Sequence, residues 1–285
     1  MTTTSPPPTV TSSRAGDEFL ANASVTTPVP DEIAERYGLD TRFYSKYVEA
    51  MGIPILGSAE LSDAAMLEAG YLTVAMLQNA PDIAQRIVEN HGRIAVMTYL
   101  ERTQSIPEHA GLDPATYGRC RGVGGTMAIP VSSCGEEDLL DYDSEPYWAE
   151  NVFIHEFAHT VHLLGLGAAF NADLVRIYNQ SMAAERWQDA LAEDGKRIPA
   201  YAARDEKEYW AEGVQSYFGC NCDHPDPSHN GVNGREQLEA YDRDLYDLVR
   251  TTFGDNPWCY VPSKQRMQQK HLKDLDRKNF PKFSW

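Results

Sequence analysis

Apolar residues recur with helical spacing in several stretches of the chain and predict a largely helical protein. The first stretch follows Ser62, a suitable N-cap, and a shorter helix is expected to begin at Pro81. The same periodicity predicts further helices over 149–165, 171–186, 205–218 and 235–252.

Two short apolar segments predict β-strands. Segment 93–100 reads RIAVMTYL between a His-Gly pair and a charged pair, which is typical of a buried strand. Segment 126–131 follows a glycine-rich turn and is expected to form an edge strand, to which an extended peptide could pair. The order of helices, then strands, then helices favours an α+β fold, mostly helical with a small mixed sheet.

The two ends of the chain differ from its centre in composition. Residues 1–28 are rich in Thr, Ser and Pro without periodicity, so we expect a disordered N-terminal arm. Residues 29–263 are expected to form the catalytic domain. Residues 264–285 form a basic tail, which we expect to pair with acidic groups of the protein itself, with an external anionic partner as the alternative.

Charge and length exclude several classes of partner. The 285 residues include 42 Asp plus Glu and 25 Lys plus Arg, which gives a formal net charge of -17. This charge repels nucleic acid and anionic lipid, so neither is an expected partner. No apolar run reaches the length of a transmembrane helix. Segment 1–30 lacks the apolar core of a signal peptide, so a cytoplasmic location is expected, or secretion if the sequence is a mature form.

Five cysteines leave the redox compartment open. They are Cys120, Cys134, Cys220, Cys222 and Cys259. A bridge between the first two is one option, but spacing alone cannot fix any pairing. Cys220, Cys222 and His224 could form a second metal site, although C-x-C is not a common zinc spacing and loop cysteines are the preferred interpretation.

The segment His155-Glu156-Phe157-Ala158-His159 carries the strongest chemical signal. Histidines four residues apart lie on one helix face, so both imidazoles can reach one Zn²⁺ ion, and Glu156 then points toward a metal-bound water as a general base. The alternative to a zinc site is that His155 and His159 are ordinary helix histidines that bind no metal. The apolar flanks predict a buried helix, and burying these polar groups without a cation would be costly.

A catalytic zinc site requires a third protein ligand. A histidine six residues after His159 is excluded, because that position is Gly165. Glu208 and Glu212 lie four residues apart on a later predicted helix, and spacing alone leaves either as the ligand.

The motif HEFAH followed 49 residues later by EYWAE resembles the metallopeptidase domain of anthrax lethal factor and its relatives, which has a zincin fold. The resemblance covers roughly residues 150–218. It implies that Glu208 binds zinc, that Glu212 supports a ligand histidine, and that Tyr201 faces the site. Tyr201 would then donate a hydrogen bond to the oxyanion or a proton to the leaving group.

His162 lies three residues after His159 but two turns from His155, which is too far for shared ligation. It is expected either to support or line the site, or to be a hydrogen-bonded core histidine.

These patterns predict a zinc-dependent hydrolase, and a metallopeptidase is the default. The alternative is a zincin-fold enzyme that acts on a small-molecule metabolite as a hydrolase or lyase. A purely structural zinc site is a weaker alternative, because Glu156 would have no role there. The substrate is therefore a peptide or a small molecule, and the sequence does not determine the oligomeric state.

Overall fold

The structure is a computed structural model that describes residues 13–285. It has an α+β fold, 45% helical with a small mixed sheet, in agreement with the predicted class. The helices are α1 (Arg14–Asn22), α2 (Asp31–Tyr37), α3 (Asp63–Leu77), α4 (Pro81–Glu89), α5 (Pro114–Tyr117), α6 (Glu136–Leu139), α7 (Val152–Thr160), α8 (Ala168–Ala183), α9 (Glu206–Phe218), α10 (Arg235–Tyr241) and α11 (Arg243–Thr252). A π-helical turn, Val161–Gly165, extends α7.

The main sheet has the strand order β1-β2-β3-β5-β4. Its strands are β1 (Lys46–Ala50), β2 (Ile53–Gly57), β3 (Arg93–Met97), β4 (Gly122–Val123) and β5 (Val131–Gly135). The three central strands are parallel, and β1 and β4 join the two edges antiparallel. A separate small hairpin pairs β6 (Ala190–Leu191) with β7 (Arg197–Ile198).

Helix α3 lies at the centre of the hydrophobic core, with nearly every side chain buried. It begins after Ser62, and Pro81 is the first residue of α4, as the periodicity predicted. The predicted strand at 93–100 is also present, although it ends at Met97. Helix α7 packs on β5, and α9 packs on α7, which brings the two motif-bearing helices together.

The predicted strand at 126–131 is wrong. Residues 126–130 form an irregular turn, closed by a hydrogen bond from the Thr126 amide to the Ile129 carbonyl at 2.8 Å. Pro130 has no amide hydrogen to give to a ladder, so the strand begins only at Val131. That strand, β5, lies between β3 and β4, so the edge next to α7 belongs to the two-residue β4.

The predicted disordered arm is wrong for its described part. Residues 1–12 lie outside the described residues, but Arg14–Asn22 forms α1, which is capped by the Ser13 side chain. Helix α1 packs closely on α3 because Gly16 lies against the Tyr71 ring, where a Cβ atom would come within 2.6 Å. The sequence did not predict α1 because residues 14–22 lack a long apolar period; close packing on α3 stabilises this helix.

The basic tail is bound to the domain, so the predicted boundary at residue 264 does not separate a free segment. Arg266 is buried in an ion pair with Glu68 of α3, and Leu272 is fully buried. Arg277 donates to the main-chain carbonyl of Asp141. The tail thus pairs with groups of the protein itself, as its charge contrast predicted.

The predicted helix at 235–252 is interrupted at Asp242, whose buried carboxylate accepts hydrogen bonds from Trp187 and Tyr209. All five cysteines are free, so the Cys120–Cys134 bridge does not form. No helix within residues 13–285 combines the length and apolar character needed to cross a bilayer.

Candidate metal centre

Helix α7 is fixed at its start by two side chains that accept its free amide hydrogens. Asn151 accepts from the Ile154 amide at 2.9 Å, and the buried Asp138 accepts from the Val152 and Phe153 amides at 2.8 and 3.0 Å. These bonds satisfy donors that the first turn of a helix leaves unpaired. The helix is therefore held in one rotational setting.

Helix α9 lies across α7 and is tied to it. The Trp210 indole donates a hydrogen bond to the Ala158 carbonyl at 2.8 Å. Asp205 caps α9 by accepting from the Glu208 amide at 3.0 Å. This contact places the first turn of α9, with Glu208, opposite the imidazoles of His155 and His159.

Three potential metal-ligand atoms meet between the helices, and we call His155, His159 and Glu208 the ligand triangle. His155 Nε2 lies 3.1 Å from Glu208 Oε2 and 3.2 Å from His159 Nε2. His159 Nε2 lies 3.2 Å from the same carboxylate oxygen. A tetrahedral zinc ion with bonds of ~2.0–2.2 Å separates its ligand atoms by about 3.4 Å, so the triangle fits such an ion.

The donor set supports the same assignment. His155 Nδ1 lies 2.8 Å from the Gln215 side-chain oxygen, so it carries the hydrogen of that bond and leaves Nε2 with a lone pair. Two imidazole nitrogens and a carboxylate oxygen then face one another in a buried space. Such a set of acceptors requires a cation or protons to balance it.

The pKa values of His155 and Glu208 also indicate that the space between them favours positive charge. Burial disfavours a charged imidazole, but the hydrogen bond with Glu208 and the nearby carboxylates outweigh it and raise the pKa of His155 to about 10. Burial also favours neutral Glu208, yet hydrogen bonds with both histidines hold the pKa of that carboxyl far below its usual range. A divalent ion would replace the protons that these groups otherwise share.

Glu156 projects into a cavity beside the ligand triangle. Burial raises the pKa of its carboxyl, the largest effect on this group. No side chain or amide in the described part of the chain donates a hydrogen bond to this carboxylate. A free carboxylate with a raised pKa is suited to accept a proton near neutral pH.

Tyr201 lies next to Glu208 of the triangle and lines the same cavity as Glu156. Its hydroxyl lies 3.2 Å from Glu208 Oε1 and accepts a hydrogen bond from Arg204 at 2.9 Å. Burial and the charge of Glu208 raise the pKa of Tyr201 well above its usual value. The phenol therefore stays protonated and remains a hydrogen-bond donor at neutral pH.

Glu212, which the resemblance implies supports a ligand histidine, lies beside His155 without a direct hydrogen bond to it. Its Oε1 atom lies 3.7 Å from His155 Nδ1, beyond hydrogen-bond range, whereas Gln215 Oε1 lies at 2.8 Å. Gln215 is one turn beyond Glu212 on the same face of α9, so helical spacing could have identified it. Gln215, one turn further along α9 than Glu212, is therefore the residue that contacts His155 Nδ1.

His162 lies away from the ligand triangle. Its Nε2 atom bonds Asn171 Oδ1 at 2.7 Å, and its ring packs near Phe170 and Trp210. It makes no hydrogen bond to the triangle among residues 13–285. The prediction of a supporting or pocket-lining role is therefore wrong, and the alternative of a hydrogen-bonded core histidine fits.

The alternative of a second metal site at Cys220, Cys222 and His224 is not assembled in the structure. Cys222 Sγ lies 3.6 Å from His224 Nδ1, but Cys220 Sγ is directed toward the Gln215 main-chain carbonyl at 3.5 Å.

The cavity next to Glu156 encloses about 270 Å³. Its polar lining includes three carboxylates, Glu150, Glu156 and Glu212, together with Arg121, which is paired with the buried Glu137. The remaining lining residues are Cys120, Gly122, Tyr147, Val152, His155, Tyr201, Ser228 and His229. Glu150, Ser228 and His229 come from loops without periodicity, so no sequence signal identified them.

Comparisons with known protein families, with characterised proteins and with solved structures find no match to this chain. The class of protein must therefore be inferred from the residues that the fold brings together.

Proposed function

We propose that this chain is a zinc-dependent hydrolase of the zincin type. His155, His159 and Glu208 would hold Zn²⁺, and Glu156 would be the general base. The observation that carries this proposal is the ligand triangle, whose three atoms lie 3.1–3.2 Å apart with an unpaired carboxylate beside them. A structural site would not need that carboxylate.

When bound, Zn²⁺ supplies a Lewis acid that acidifies a water molecule and polarises a carbonyl group. The Glu156 carboxylate accepts the proton of the attacking water and later returns it to the leaving group. The Tyr201 hydroxyl donates a hydrogen bond to the oxygen on which negative charge develops. Gln215 holds the His155 ring with Nε2 directed at the cation.

Peptides are the substrate class that we propose first. Strand β4 lies at the sheet edge directly against Glu156, since a Cβ atom on Gly122 would come within 2.6 Å of Glu156 Cγ. Within the described residues β4 pairs only with β5, so no strand of that part of the chain covers its outer edge. An added strand there would run past the general base.

A small-molecule substrate is the second candidate, and the shape of the cavity favours it. A volume of about 270 Å³ is small, and Tyr147 and Ser228 are among the residues that line it. A cavity of this size accepts a metabolite more readily than several residues of a peptide.

Glu156→Gln tests the proposal. We expect this variant to bind zinc as the wild type does, because no ligand changes, and to lose activity by about 10²–10⁴-fold because the base is removed. Zinc content would be measured by elemental analysis, and turnover with a peptide library and a metabolite extract. The exposed Glu193→Gln is the matched control and should keep full activity.

The substrate pools separate the two candidates. Cleavage of library peptides that disappears in Glu156→Gln supports the peptidase, and turnover confined to the extract supports the metabolite enzyme. Equal turnover by Glu156→Gln and wild type would contradict the role of Glu156. A wild-type chain without zinc after dialysis against Zn²⁺ would contradict the metal centre itself.

A further inference from the structure

A second group of metal-ligating atoms lies on the other side of the His155 ring. It consists of Glu150, Glu212 and His229, which we call the second cluster. His229 Nε2 lies 3.7 Å from Glu150 Oε2 and 3.9 Å from Glu212 Oε1, and all three atoms lie within 4.8 Å of one another. Glu212 is only 2% exposed and His229 8% exposed.

One atom of the second cluster has no hydrogen-bond partner among residues 13–285. Glu212 Oε2 accepts a hydrogen bond from Asn221 at 2.9 Å, but the buried Glu212 Oε1 accepts none within that range. Leaving a buried carboxylate oxygen unsatisfied is costly, so such an atom in a folded protein calls for an occupant beside it.

His229 presents a lone pair to the same space. Its Nδ1 atom lies 3.0 Å from Asp226 Oδ1, so Asp226 accepts the Nδ1 hydrogen and Nε2 remains free to accept. Separations of 3.7 and 3.9 Å are too long for direct hydrogen bonds from an imidazolium to Glu150 and Glu212. Three acceptor atoms therefore surround a gap.

We propose that the second cluster binds a second divalent metal ion. Three atoms with these separations surround a point roughly 2.1–2.5 Å from each, which spans the bond lengths of zinc and other divalent ions to nitrogen and oxygen. One imidazole and two carboxylates form a donor set that suits Zn²⁺ and related transition metals. The contact between Asp226 and His229 is the carboxylate–histidine arrangement that orients many metal-bound histidines.

Gln215 lies between the two centres. Its oxygen accepts from His155 Nδ1 at 2.8 Å, and its nitrogen donates to Glu150 Oε2 at 2.9 Å. One side chain thus orients a ligand of each ion. The second ion would also neutralise the two carboxylates that line the cavity, so the wall of the cavity facing a substrate would not be strongly negative.

Metal stoichiometry tests this proposal independently of the hydrolase activity. After dialysis of the full chain against Zn²⁺ and removal of free ion, we expect two zinc ions per chain in wild type and one in Glu150→Gln. Gln in place of Glu150 still accepts the hydrogen bond from Gln215, so this variant should keep its fold. His159→Ala should also bind one ion, and the double variant none.

Two further variants check the location. Cys222 Sγ lies within 4.8 Å of ligand atoms of Asp226 and His229, so Cys222→Ser asks whether the ion lies there instead. We expect Cys222→Ser and the neighbouring control Ser228→Ala to retain two ions. Loss of an ion in Cys222→Ser, with two retained in Glu150→Gln, would overturn the assignment.

The outcome also separates this proposal from the hydrolase proposal. One ion in wild type that is lost in His159→Ala and retained in Glu150→Gln would refute the second cluster and leave the ligand triangle intact. One ion lost in Glu150→Gln and retained in His159→Ala would refute the triangle and support the second cluster.

Discussion

Replacing Gln215 by leucine would remove the group that orients His155 without changing a metal ligand. Gln215 is fully buried on α9, and its oxygen is 2.8 Å from His155 Nδ1. Leucine is similar in size but accepts no hydrogen bond. The Nδ1 hydrogen would then be buried without a partner, and the ring would lose the contact that directs Nε2 toward Glu208 and His159.

The size of the effect on zinc binding at the ligand triangle follows from the contact with His155, since the other hydrogen bonds of Gln215 go to Glu150 and the Asn151 carbonyl. A hydrogen bond from an imidazole that carries partial positive charge contributes about 1.5–3 kcal/mol. Since about 1.4 kcal/mol corresponds to a factor of ten, we expect zinc affinity at the ligand triangle to fall roughly 10–100-fold. The loss should appear in the dissociation constant, with the ligands themselves still present.

The assay is a competition titration with a chromophoric zinc chelator, with circular dichroism as a check of folding. Ser216→Ala is a matched control for the ligand triangle, because it removes the buried hydrogen bonds of the next residue of α9, to the Val232 carbonyl and from Asn221, without contacting a residue of the triangle. It should lower stability slightly and leave zinc affinity unchanged. Equal affinity in wild type and Gln215→Leu would refute the reasoning. A larger loss in Glu212→Gln than in Gln215→Leu would show that Glu212 orients His155.

Two further predictions concern stability. Burial favours neutral Glu68, but the buried Arg266 outweighs it and lowers the pKa of that carboxyl, so its stabilising contribution is present above pH about 4.5 and lost as pH falls. In urea unfolding, Glu68→Gln should lower the free energy of unfolding by about 3–5 kcal/mol at pH 7. The variant should then lose less of this free energy than wild type as the pH falls below about 4.5. Equal losses in acid for the two proteins would contradict this. In Gly124→Ala the added Cβ atom would clash with His159 Cβ, so we expect the free energy of unfolding to fall by about 1–3 kcal/mol and zinc binding to weaken. Gly111→Ala is the control: Gly111 has open space around it, so this variant should match wild type.

Local sequence signals were sufficient for several elements of the core. The starts of α3 and α4 and the strand at 93–97 agree with the sequence, because apolar runs and the proline at the start of α4 act within a few residues. The wrong predictions concern segments whose structure is determined by contacts with residues far away in the sequence. Helix α1 has only two large apolar residues, Phe19 and Leu20, and is held by contact with α3. The break at Asp242 comes from buried hydrogen-bond partners far along the chain.

The same division applies to the candidate metal centre. The spacing of His155 and His159 places both rings on one side of α7, because helical geometry is local and repeats every turn. Glu156 follows from the same register. These three residues could therefore be proposed together from a single short segment.

The partners of these residues depend on how α9 crosses α7. Spacing left Glu208 and Glu212 equivalent, and only the packing of Trp210 against Ala158 brings Glu208 to the imidazoles and Gln215 to His155 Nδ1. The second cluster combines a loop before α7, the middle of α9 and a loop after it. Such a meeting depends on contacts between residues far apart in the chain, which no local period encodes.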